Sequence, residues 1–165
     1  VEQAFGVMDQ LISEVIKGVA EAITKPSLIN LDFADVKTVV KSGGASTIMY
    51  GENSSEDTNA VVAETLSNPF LDVDYSHVKS ALIHVTSGPS LSLRAVYDVV
   101  DGITSHFDDN AHVILGVRND ESEYDGLIKI ITIITGAKSQ NLLSSRDCYL
   151  DEGLKVLDDS IPIIN

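Results

Sequence analysis

Asn30-Leu31-Asp32-Phe33-Ala34-Asp35 follows a long amphipathic segment and Pro26, and it precedes every strand candidate in the chain. Asn30 can cap a helix that begins here. Asp32 and Asp35 stand three residues apart, so in a helical first turn they share a face. Carboxylates are favoured there because the first N–H groups of a helix lack partners and the helix dipole is positive at that end. By spacing alone, the stretch reads as a helix start with two capping acids. That reading divides the chain. One long helix ends before it, a short helix starts at it, and an alternation of strands and helices follows.

Upstream, Phe5, Met8, Leu11, Ile12, Val15, Ile16, Val19 and Ile23 recur every three or four residues and predict a helix over 1–24. Pro26 ends it. Its apolar stripe is broad, with Ala4, Ala20 and Ala22 adding small surfaces. A helix of this kind needs something to pack on. Part of the stripe is expected to face the rest of the chain and part to face another domain. The pattern is already under way at the first residue, which predicts a piece of a longer protein.

Downstream, a helix is expected over 32–42, stopped by Gly43-Gly44. Thr47–Tyr50 reads as a short strand and Gly51-Glu-Asn-Ser-Ser55 as a polar turn. Residues 57–67 read as a helix ended by Asn68-Pro69. Ser80–Thr86 reads as a buried strand, and Ser92 caps a helix running to Ser105. Residues 111–117 are expected to form a strand, 119–126 an acidic hairpin turn, and Leu127–Thr135 a strand whose isoleucine-rich composition suits a buried sheet. Strand–helix–strand units favour parallel pairing, and the last two strands can close as an antiparallel hairpin. The expected fold is α/β: a four-stranded mixed sheet with flanking helices, preceded by a long core helix.

The 165 residues, 44% of them hydrophobic, suit one domain with a sizeable core. A formal net charge of −14 argues against nucleic acid or an anionic membrane as a direct partner. The single cysteine, Cys148, excludes an internal disulfide and suits a reducing compartment. There is no leader pattern, and no apolar run approaches the ~18 residues of a membrane span. His77, His84, His106 and His112 lack metal-ligand spacing with one another or with Cys148. His84 reads as a satisfied sheet histidine, Asp72 and Asp74 as turn residues, and Arg118 and Lys129 as members of ordinary surface pairs.

Lys25-Pro-Ser-Leu-Ile-Asn-Leu-Asp-Phe-Ala-Asp-Val-Lys-Thr-Val-Val40 closely resembles the synergy loop of FtsZ, the prokaryotic tubulin homologue. The resemblance continues in the family's order through Ser67-Asn-Pro-Phe-Leu-Asp-Val-Asp74, Ala81-Leu-Ile-His-Val-Thr-Ser-Gly-Pro89 and Leu115-Gly-Val-Arg118, as far as Gly136. Met49 and Tyr50 depart from it, being bulkier than the usual glycine-rich strand. The resemblance implies a central core helix over 1–24, a C-terminal domain over 25–137 that begins with the synergy loop, and an extension over 138–165. Residues 157–164 are loosely similar to the acidic Ile-Pro tail with which the family binds membrane tethers and other division proteins. An extension packed on its own domain is the equal alternative.

For function, the resemblance implies half of a shared GTPase site in a cell-division filament. GTP and Mg2+ belong to the full-length polymer, bound on a preceding domain, and none is expected to bind this chain alone. A phosphate site needs a cradle of backbone N–H groups. Gly43-Gly44 is a helix stop, and Pro89 removes a donor from the turn at Ser87-Gly88. Asp32, Asp35 and Asn30 match the acidic and amide positions of the loop motif and are the expected catalytic residues. The aspartates would orient or polarise water beside a neighbour's γ-phosphate, and Asn30 would supply a polar contact or loop geometry. The implied partners are other FtsZ subunits and the chain's own preceding domain, with a cytoplasmic location and a ring at midcell. The alternatives are a non-catalytic α/β interaction module and a tubulin-superfamily paralogue acting in cell shape.

Overall fold

The computed structural model describes residues 2–43, 45–54, 57–67, 73–89, 92–120 and 126–138. The elements in order are α1 (Glu2–Thr24), α2 (Phe33–Lys41), β1 (Ser46–Ser54), α3 (Thr58–Leu66), a 3-10 turn (Tyr75–His77), β2 (Ser80–Ser87), α4 (Leu93–Thr104), β3 (His112–Asn119) and β4 (Leu127–Thr135). They build one four-stranded sheet in the order β1-β4-β2-β3. β4 pairs antiparallel with both β1 and β2, and β2 pairs parallel with β3. The tail reading of 157–164, the acidic turn at 121–125, Asp72 and Cys148 lie outside the described residues.

The expected β3–β4 hairpin is not formed. β4 enters between β1 and β2 instead, and β3 stands at the edge. Burial explains the choice. A strand in the middle of a sheet covered on both faces needs apolar residues without alternation. β2 is buried at all eight positions and β4 at all but its first. β1 and β3 keep exposed positions and take the edges.

Helices cover both faces. α3 and α4 lie over the larger core, which gathers Met49, Val61, Ala81, Ile83, Val85, Val96, Val99, Ile103, Val117, Ile128, Ile130 and Ile134. α1 and α2 lie over the other face, where Ala22, Leu31, Val39, Leu82 and Ile133 make a smaller cluster. Met49 is fully enclosed, so the bulk that departs from the family's usual strand is absorbed by the core.

Three local expectations are corrected. β1 does not stop at Tyr50 but runs to Ser54, through the residues expected to turn. Gly51 is there because α3 lies directly on it: a Cβ would come 2.2 Å from Thr65 Oγ1 and 2.8 Å from the Thr65 backbone nitrogen. Arg118 and Lys129 are not surface residues. They are 3% and 4% exposed, and each pairs with a glutamate on α1. The stripe of α1 that meets the sheet carries polar contacts beside the apolar Val19 and Ala22. Glu14 binds Lys129, Gly18 presses on Ile131, and Glu21 binds Arg118. Ile12 and Ile16 of the apolar stripe are exposed.

Candidate functional site

The loop from Lys25 to Leu31 is pinned at several points. Ile29 and Val117 exchange both backbone hydrogen bonds at 3.1 Å, joining the loop to the β3 edge. Leu31 turns inward, 4% exposed, into the smaller core. It sits over Gly116, where a Cβ would lie 2.5 Å from both Leu31 Cγ and Cδ1. Glycine at 116 is therefore what lets the loop approach the sheet. The Asn30 side chain stays on the loop, and its Oδ1 accepts the Ser27 N–H at 2.9 Å.

Asp32, not Asn30, is the N-cap of α2. Its backbone is extended (φ −113°, ψ 171°), and its Oδ1 accepts the Asp35 N–H at 2.9 Å. Asp35 answers in kind, Oδ2 accepting the Asp32 N–H at 2.9 Å. This reciprocal capping box satisfies two helix-end donors with two carboxylates. It uses one oxygen of each, and Asp32 Oδ2 and Asp35 Oδ1 make no hydrogen bond among the described residues. The Asp32 carboxylate is exposed, the Asp35 one half-buried, and the flanking Leu28 and Phe33 are 63% and 68% exposed. The structure thus brings Asp32 and Asp35 together through their capping contacts and keeps the Asn30 side chain on Ser27.

Beneath the loop lies a polar cluster that the sequence reading did not find. Arg118 Nη2 contacts Glu21 Oε2 at 3.0 Å and Asp120 Oδ2 at 3.3 Å. Glu21 also takes Lys25 at 2.8 Å. Burial pushes the Glu21 carboxyl up, but the hydrogen bonds from Lys25 and Arg118 outweigh it and the net direction is down. The hydrogen bond from Lys129 holds Glu14 low. His84 is not fully satisfied. Its Nδ1 meets Thr86 Oγ1 at 3.4 Å, and its Nε2 has no partner among the described residues. Burial, reinforced by the Arg118 charge, lowers its pKa to about 4, so the ring is neutral. One signal for this cluster was available: Glu14 and Glu21 share a face with Gly18 at i, i+4 and i+7, and acids on a helix seam call for buried cations opposite.

No group of three or more metal-ligating side chains occurs among the described residues. No helix among them is long and apolar enough to cross a membrane.

Comparison with known proteins decides the family. Residues 44–138 match the model of the FtsZ family, C-terminal domain. The chain belongs to the FtsZ family. Among its relatives, cell division protein FtsZ 2 of Methanocaldococcus jannaschii is 48% identical over 147 residues, covering 87% of this chain and 38% of the relative. The FtsZ 2 of Halobacterium salinarum is 41% identical over 159 residues, covering 95% of this chain and 40% of the relative. The chain therefore spans about two fifths of the length of these relatives. A solved FtsZ dimer from M. jannaschii superposes with a TM-score of 0.73 at 35% identity, over 86% of this chain and 45% of that one. A CetZ from Methanosaeta thermophila, at 17% identity and a TM-score of 0.63, shares the fold. Residues 30–35 precede the segment matched by the family model, while the 159-residue alignment to the Halobacterium FtsZ is long enough to include them.

Proposed function

We propose that this chain is the part of an FtsZ that completes the GTP hydrolysis site of an adjacent subunit and forms the face through which subunits assemble lengthwise. The observation that carries this is the capping box. It fixes two carboxylates where the loop meets α2, each with one oxygen that makes no hydrogen bond among the described residues. Water is a poor nucleophile and must be aligned with the departing β–γ oxygen of the nucleotide. A carboxylate oxygen that is free of the helix cap can accept a hydrogen bond from that water and orient it. Asp32 and Asp35 are assigned this role. Asn30 keeps the loop in shape through Ser27. The exposed Leu28 and Phe33 give the loop apolar flanks with which to seat against a neighbour.

Two carboxylates brought up to a triphosphate repel it unless cations compensate. Mg2+ held with GTP on the neighbouring subunit would supply that compensation. Hydrolysis then depends on assembly, because the carboxylates and the phosphates are on different subunits. The function served is cell division, as in the relatives' names.

The test is complementation. The 165-residue chain is mixed with a separately prepared nucleotide-binding domain of an FtsZ, and phosphate release is followed. Stimulation by the wild-type chain and not by Asp35→Asn supports the reading. Association of the two pieces without stimulation overturns it in favour of a non-catalytic interaction module.

A further inference from the structure

We infer that Arg118 is a positioning residue for the loop that carries Asn30, Asp32 and Asp35, acting through Glu21 where the loop begins. The inference deepens the proposed hydrolytic role and rests on it.

α1 lies over one face of the sheet. The register places Glu52, Lys129, Thr86 and Arg118 side by side across β1, β4, β2 and β3. Two cations on this row are buried, and α1 answers each with a glutamate: Glu14 to Lys129 at 2.8 Å and Glu21 to Arg118 at 3.0 Å. The glutamates are seven residues apart, about 10 Å along a helix. Between them Gly18 lies against Ile131 so closely that a Cβ would fall 1.9 Å from Ile131 Cδ1. Two ion pairs and one close approach leave α1 little freedom to slide or to turn about its axis.

Glu21 stands four residues before Lys25, so its pairing fixes the last turn of α1 and the direction in which the chain enters the loop. The same strand segment then grips the loop again. Val117 exchanges backbone hydrogen bonds with Ile29, while Arg118, on the opposite face of the strand, reaches Glu21. Residues 117 and 118 therefore hold the loop at its entry and at its middle. Among the described residues, Arg118 Nε and Nη1 have no hydrogen-bond partner, so the Nη2 contact with Glu21 is its link to α1. Loss of Glu21 leaves the buried guanidinium with Asp120 as its remaining carboxylate contact among the described residues, and a buried charge that loses a partner favours rearrangement.

A residue that only stabilises the fold would loosen the whole sheet when changed. A positioning residue loosens the loop and slows turnover while the sheet holds. Three measurements separate the two. Hydrogen exchange on the 165-residue chain reads the Ile29 and Val117 amides against those of β4. Phosphate release in the complementation mixture is measured at saturating GTP and saturating chain. Thermal unfolding reports the fold. For Glu21→Gln and Arg118→Gln we expect protection at Ile29 and Val117 to fall about tenfold or more while β4 protection is unchanged. Turnover should fall about ten- to a hundredfold, the scale set by small misplacements of reacting groups, with association of the two pieces unaltered. Arg118→Lys, which keeps the charge, should recover part of both losses. Unchanged protection at Ile29 and Val117 would overturn the inference. So would a loss spread evenly into β4, or normal turnover in a variant whose loop has loosened. If Arg118→Gln fails to fold, Glu21→Gln carries the test. The two readings fail separately: Asp35→Asn with normal turnover removes the hydrolytic role, whereas Asp35→Asn inactive beside Glu21→Gln active removes only the positioning role.

Discussion

Leu31 fills the space that a side chain at Gly116 would need. A Cβ on Gly116 would approach Leu31 Cγ and Cδ1 to 2.5 Å, so the loop and β3 fit together only with glycine there. Gly116→Ala must displace Leu31 from the smaller core. The expected cost is about 1–3 kcal/mol, the usual range for an extra methyl in a packed site. Denaturant unfolding of the 165-residue chain measures it. Leu31→Ala, which empties the site, should cost about 2–5 kcal/mol.

The capping box allows the charge of each aspartate to be separated from its cap. Asparagine caps a helix about as well as aspartate. Asp32→Asn should therefore leave stability within about 0.5 kcal/mol, whereas Asp32→Ala should lose about 0.5–2 kcal/mol. Chemical denaturation reads both. If hydrolysis in the complementation mixture falls with Asp32→Asn although stability is kept, the carboxylate acts on the substrate side and not only on α2.

Gly51 sits under α3 against backbone as well as side chain, with Thr65 nitrogen and Val61 oxygen at 2.8 and 3.0 Å from a hypothetical Cβ. Backbone cannot step aside as the end of a flexible side chain can. Gly51→Ala is expected to destabilise the chain by about 2 kcal/mol or more, within the range for overpacked sites. Gly126, with no described residue within 4 Å of a hypothetical Cβ but φ of +72°, should respond through backbone strain and cost less, about 1 kcal/mol. Thermal melts of the two variants side by side test the contrast.

His84 makes the fold sensitive to mild acid. Its pKa falls from an ordinary 6.5 to about 4 through burial and the Arg118 charge, against a smaller opposing pull from Glu21. Above pH 6.5 both folded and unfolded chains carry a neutral ring and the full stability is present. As pH falls, the unfolded chain takes up the proton first, and stability drops until pH nears 4. The slope is about 1.4 kcal/mol per pH unit and the total roughly 3 kcal/mol. Glu14 and Glu21, whose carboxyls are lowered from 4.5, lose their contribution only at lower pH. Unfolding free energies at pH 7, 6 and 5 should therefore fall more steeply for the wild type than for His84→Gln. Parallel slopes would contradict the assignment.

Runs of apolar residues were legible, and so was the parallel β2–β3 pairing across α4, but the neighbours of β4 were not. Leu127–Thr135 follows its isoleucine run to the residue, and Ser92 caps α4 as its position implied. Gly51 misled because glycine marks a turn and a close approach with the same letter, and only the presence of α3 distinguishes them. The β3–β4 hairpin misled because a short acidic connection permits a hairpin without compelling one. The almost wholly buried β4 is better satisfied with a neighbour on each side. At the loop, spacing located the helix start but placed the cap two residues early, at Asn30 instead of Asp32. Arg118 and Lys129 looked like surface residues because charges are buried only where another element answers them. Glu14 and Glu21 lie more than ninety residues upstream.

The most direct measurement of the central claim is phosphate release by a nucleotide-binding domain of an FtsZ on addition of this chain, with Asp35→Asn as the paired control. Stimulation by the wild type, and loss of nearly all of it in a variant whose unfolding curve is unchanged, is the predicted result. Equal stimulation by the two chains would contradict the account, because the Asp35 carboxylate would then serve only to cap α2.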